Sequence, residues 1–114
     1  MGLYYKSTRN SNLKVTASEA ILKGLAPDGG LFVPSELPKL DVTMSDLKGK
    51  TYQEIAYLVM KQFLTDFTEE ELKNCIDKAY DSKFDTEEIA PLVKVDDTYY
   101  MELFHGATIA FKDM

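Results

Sequence analysis

The sequence predicts a small α+β domain, richer in helix than in strand, and three observations carry that prediction. Three Thr-x-x-Glu boxes each open a stretch with apolar residues at helical spacing. Four short runs rich in aromatic and β-branched residues lie between turn-forming residues. The last two of those runs are separated only by Asp96-Asp97, as in a hairpin.

Taken in order, residues 3–7 form an aromatic-rich strand candidate. Thr16 with Glu19 caps a helix over 17–24, and Gly24 suits its C-terminal end. Pro27-Asp28-Gly29-Gly30 reads as a turn and lacks the spacing of a phosphate-binding loop. Residues 31–33 are a short strand candidate, and Pro34 and Pro38 bracket an extended passage. Residues 41–50 read as irregular chain or one short helical turn.

Thr51 with Glu54 opens a helix over 51–65, whose apolar face is read as Tyr52, Ile55, Ala56, Val59 and Phe63. Thr68 with Glu71 opens another over 69–82, with Leu72, Cys75, Ile76, Ala79 and Tyr80 as its stripe. Their short connection predicts a helical hairpin packed on the first helix and some strands. Strands are expected at 92–95 and 98–104.

The chain has 114 residues, with 45% hydrophobic and 28% charged, which excludes intrinsic disorder and allows an ordinary core. Its net charge of -6 repels phosphate backbones and anionic lipid, so neither nucleic acid nor membrane is an expected partner. No run approaches the ~20 apolar residues of a membrane span, and the first residues lack a signal-peptide core. With one cysteine, Cys75, and hence no intrachain disulfide, the expected location is the cytoplasm.

The chemistry-bearing candidates are few. Cys75, on a helical apolar stripe, is expected to be a small buried hydrophobe. His105, the only histidine, has no Ser or Cys at motif spacing and is expected to pack a turn; no metal cluster is expected. Glu69-Glu70-Glu71 reads as a helix start. Lys112 follows a strand and a Gly106-containing turn, among Ile109, Ala110 and Phe111. Apolar neighbours can disfavour an ammonium and free an amine nucleophile, although a lysine near a chain end is ordinarily solvated.

Three blocks add a resemblance. "YKSTR" (5–9), "EAILKGLAPDGGLFVP" (19–34) and "ELFHGATIAFKDM" (102–114) resemble the opening of the threonine synthase family, in order and spacing. The resemblance covers essentially the whole chain. It implies a fold type II pyridoxal 5'-phosphate (PLP) enzyme that converts O-phospho-L-homoserine and water to L-threonine and phosphate. It implies that Lys112 is the lysine that attaches to PLP as a Schiff base and carries protons. It implies that Phe111 lies close to the cofactor ring, and that Thr108 and Asp113 shape the pocket.

Asn10 and Ala107 depart from the family's usual Gly and Pro; Asn tolerates positive φ, and Ala leaves the turn before the lysine less rigid. The resemblance divides the chain into an amino-terminal domain over 1–104 and the start of the PLP-binding domain over 105–114. It puts the groups for the PLP phosphate, the pyridine nitrogen and the substrate after Met114. The expectation is therefore a fragment that folds but, without its catalytic domain, neither binds PLP nor turns over substrate. Lys112 is then expected to be exposed near a frayed terminus. Two alternatives stay open: another fold type II PLP enzyme, and a non-catalytic interaction module.

Overall fold

A computed structural model describes residues 2–114. The three threonines start helices as their boxes predict. Thr16 precedes α1 (Ala17–Lys23), Thr51 precedes α2 (Tyr52–Phe63), and Thr68 precedes α3 (Glu69–Ala79). At each, the threonine hydroxyl accepts the third backbone N–H while the Glu carboxylate accepts the threonine N–H, at 2.8, 2.8 and 2.9 Å. α1 ends at Gly24, with φ 72°.

The expected short helical turn between residues 41 and 50 is a 3-10 helix, Met44–Leu47. Its Thr43 N–H donates to Asp46 at 2.7 Å. Asp here does the work of Glu in the other boxes, so a search for Thr-x-x-Glu passes over it.

The strands form two separate antiparallel pairs. β1 (Tyr5–Ser7) pairs with β2 (Phe32–Pro34), Tyr5 opposite Pro34 and Ser7 opposite Phe32. β3 (Leu92–Val95) pairs with β4 (Thr98–Met101) around the Asp96-Asp97 turn. Asp96 takes φ 53°, which its short polar side chain tolerates. β4 stops at Met101, short of the expected Phe104. Glu102 N–H still bonds Pro91 O at 3.0 Å, but Pro91 has no N–H to return, and the ladder ends.

The main core lies between α2 and α3, a helical hairpin. Leu72, Ile76 and Tyr80 recur every fourth residue on α3 and its end and are joined by Phe84 and Ile89. Tyr52, Ala56, Tyr57, Met60 and Leu64 of α2 and its end pack on them, with Phe67 and Met114.

Two readings are corrected here. Cys75 is exposed, and so is Ala79. The buried seam is one residue wide, and a position about 100° round from Ile76 falls outside it. On α2 the face toward the core is rotated from the predicted stripe: Tyr52 and Ala56 belong to it, while Ile55, Val59 and Phe63 are half-buried elsewhere. α2 has no fully buried residue.

β1 and α1 fasten to the far end of α2. Tyr5 Oη donates to Phe63 O at 2.9 Å, Leu3 N–H donates to Thr65 Oγ1 at 3.0 Å, and Ser18 N–H donates to Asp66 at 3.1 Å. The β3–β4 hairpin is different. Leu92, Val93, Val95, Tyr99, Tyr100 and Met101 are exposed, so both of its faces are apolar and uncovered. Among the described residues no helix is long and apolar enough to cross a membrane.

Candidate functional site

The chain from Glu102 to Met114 folds into a turn that is fastened at both ends. At its start, the two ring nitrogens of His105 meet two carboxylates: Nε2 is 2.9 Å from Glu102 Oε1, and Nδ1 contacts Asp85 Oδ1. The backbone repeats the second link, Asp85 N–H donating to His105 O at 3.2 Å. The hydrogen bond to Glu102, then that to Asp85, holds the imidazole above its ordinary 6.5. The expected turn-packing role of His105 is thus a bridge from the segment after α3 to the end of β4.

The turn itself runs from Gly106 to Ile109, closed by Ile109 N–H donating to Gly106 O at 3.1 Å. Asp113 reaches back into it, its Oδ2 accepting Thr108 N–H at 2.9 Å and the Thr108 hydroxyl at 2.7 Å. That approach requires glycine at 106, where an added Cβ would stand 2.6 Å from Asp113 Cβ. Ile109 takes φ 60°, a conformation that costs a β-branched residue about 1–3 kcal/mol.

Phe111, Lys112 and Asp113 form a final 3-10 turn. Lys112 and Phe111 are both exposed. Met114 is half-buried and packs against the helical core. The lysine is therefore displayed on a turn held by His105 at one end and Met114 at the other.

These residues fit one end of PLP. An accessible amine suits its aldehyde, and an exposed aromatic ring is adjacent in sequence. At each of the three α-helix N-termini the N3 N–H is already taken by the capping threonine. The groove of about 820 Å³ between the start of α2 and residues 81–89 includes Asp85 but neither Phe111 nor Lys112.

The other two sequence blocks meet at the opposite sheet. Buried Ser7 donates through its hydroxyl to Asp28 Oδ1 at 2.7 Å, and the same oxygen accepts Gly30 N–H at 2.9 Å. Arg9 Nη1 donates to Asp28 O at 3.0 Å. The bond from Ser7, then that from Gly30, holds the Asp28 carboxyl below its ordinary value. The Pro27–Gly30 turn reading is right, but the bond between the two blocks, 21 residues apart, has no sequence signal beyond their joint presence.

The family profile described as "Threonine synthase N terminus" matches residues 4–80. The chain belongs to the threonine synthase amino-terminal family. A threonine synthase from Schizosaccharomyces pombe is 42% identical over 114 residues, covering 96% of this chain and 22% of that protein. One from Methylobacillus glycogenes is 35% identical over 120 residues, covering 96% and 25%. A crystal structure of PLP-bound threonine synthase from Brucella melitensis matches with TM-score 0.86 and 36% identity, over 98% of this chain and 25% of that one. The chain thus spans about a quarter of the length of the threonine synthases it matches. The family profile stops at residue 80, whereas the matches to individual threonine synthases extend over nearly the whole chain.

Proposed function

We propose that this chain is the amino-terminal quarter of a PLP-dependent threonine synthase, a lyase that converts O-phospho-L-homoserine and water to L-threonine and phosphate. Lys112 is the residue that carries its cofactor. The observation that supports this most directly is the match to threonine synthases over nearly the whole chain, with Lys112 on a turn braced by Asp113 and Thr108. When bound, PLP supplies an electron sink for charge at the substrate α-carbon.

This chain's own residues hold and position. Lys112 Nζ holds the cofactor at its aldehyde carbon and moves protons at the reacting carbons. Phe111, next to Lys112 in sequence, would lie close to the cofactor ring. Asp113 and Thr108 fix the backbone on which both stand. Residues 105–114 belong, on this reading, to the start of the cofactor-binding domain, and residues 1–104 to the amino-terminal domain.

The catalytic domain that completes the site is also the partner for the apolar faces of β3 and β4. A two-stranded hairpin is marginal in water without a covering layer. Donors for the PLP phosphate and contacts to O-phospho-L-homoserine come from that domain, so the 114 residues alone neither bind PLP nor turn over substrate. The cytoplasm is the compartment in this account, supported by an exposed, unpaired Cys75.

The test is phosphate release from O-phospho-L-homoserine by the complete polypeptide that carries this sequence. Lys112→Ala is expected to lower it by at least ~10³-fold with the protein still folded. Undiminished release by the variant contradicts the role of Lys112. Turnover of a different amino acid by the unaltered polypeptide favours another fold type II enzyme.

A further inference from the structure

The environment of His105 is unusual in one chemical respect. Both ring nitrogens face carboxylate oxygens, Glu102 Oε1 and Asp85 Oδ1. An ionised carboxylate only accepts, so both bonds are made together only when both nitrogens carry protons. A neutral ring would leave one bare nitrogen against a carboxylate lone pair. The Glu88 carboxyl, held below its ordinary value first by the Thr86 hydroxyl, also feels the charge of the ring, and the Phe104 ring lies 4.5 Å away. Among the described residues, the ionisable groups placed against His105 are carboxylates, and Asp85 and Glu102 each form an ion pair with His105 alone.

The bridge is placed where it matters. Asp85 belongs to the segment that continues from α3 to the buried Ile89, and Glu102 follows β4. His105, the residue immediately before Gly106, is tied to both, and Asp113 lies against Gly106 from the other side. Loss of either carboxylate bond leaves the entry to the turn that displays Lys112 held by fewer bonds, the Asp85 N–H to His105 O link remaining.

We propose that His105, as an imidazolium clamped between Asp85 and Glu102, is a positioning residue for Lys112, and that its deprotonation loosens the lysine turn. This rests on the reading of Lys112 as the cofactor lysine. The ring itself touches neither substrate nor cofactor in this account; it sets the backbone on which the amine stands.

His105 is the only histidine of these 114 residues, and in the complete polypeptide its ring NMR signal is identified by its loss in His105→Gln and then titrated. The expected result is a midpoint above 6.5, with both ring nitrogens protonated below it. The amides of Gly106, Thr108 and Asp113 are expected to shift with the same midpoint. Asp85→Asn and Glu102→Gln should each lower that midpoint. A ring that titrates at or below 6.5, or turn amides that ignore its titration, overturns the proposal without touching the cofactor assignment. Because the titration is read on the unaltered chain, a variant that fails to fold does not decide it. Borohydride reduction and peptide mapping of the PLP-loaded complete polypeptide reads the assignment separately. Label on another lysine removes the role of Lys112, and this proposal with it.

Discussion

Ser7 and Asp28 stand 21 residues apart and share a 2.7 Å hydrogen bond that closes the first sheet over the Pro27–Gly30 turn. The Ser7 oxygen also accepts Arg9 N–H at 3.1 Å, so one buried hydroxyl serves both blocks. A Cβ at Gly30 would lie 2.2 Å from that oxygen. Ser7→Ala is therefore expected to cost about 1–3 kcal/mol, through loss of the bond to the Asp28 carboxylate and the bond from Arg9 N–H. Gly30→Ala should cost a similar amount through overpacking, about 1–3 kcal/mol. Because the first substitution removes the atom that the second collides with, the double variant should lose less than the sum. Urea unfolding of the four proteins checks this, and strict additivity contradicts it.

The pH dependence of stability has opposite signs at two residues. Asp28 is held below its ordinary 3.8 when folded, by Ser7 first and Gly30 next. Its contribution is present above that value and is lost as pH falls through the folded one. His105 is held above 6.5, by Glu102 first, so its contribution is present below 6.5 and is lost as pH rises through the folded value. Asp28→Asn should flatten the acid limb of the stability profile, and His105→Gln the limb above 6.5. Urea midpoints against pH read both. A wild-type alkaline limb unchanged in His105→Gln contradicts the second assignment.

Neighbouring residues on α3 should answer differently to truncation. Ile76 is 3% exposed in the core, and Ile76→Ala is expected to cost about 2–5 kcal/mol. Cys75 lies outside the seam, and Cys75→Ser should change stability by under about 0.5 kcal/mol. In the native protein a thiol reagent should modify Cys75 without denaturant. Protection of that thiol until unfolding contradicts the narrow seam.

Ile109 stores strain beside the lysine. At φ 60° and 73% exposed, it gains little from burial and pays the cost of a left-handed backbone. Ile109→Asn, which tolerates that conformation, is expected to raise stability by about 1 kcal/mol. A lower urea midpoint in the variant shows that the side chain contributes more than the backbone costs.

The helices and the β3–β4 hairpin were legible because their signals are local. Thr51 with Glu54, and Asp96 with Asp97, act within four residues, and each formed as its pattern implies. What escaped the sequence depends on distant partners. Which side of α2 faces inward is set by where Leu72 and Ile76 lie, and Cys75 was misplaced because periodicity does not give the width of a seam. Lys112 was legible as a candidate amine from its apolar neighbours, but its role as a cofactor lysine came only through the family resemblance. Its support from Asp113 and the bracing of His105 by Asp85, 20 residues away, needed the structure.

The account turns on Lys112 as the cofactor lysine, and one measurement addresses it directly. The complete polypeptide that carries this sequence is loaded with PLP, reduced with borohydride, digested and mapped by mass. The account predicts a single stoichiometric pyridoxyl label on Lys112, absent in Lys112→Arg. A label on any other lysine, or none on a polypeptide that still releases phosphate from O-phospho-L-homoserine, contradicts it.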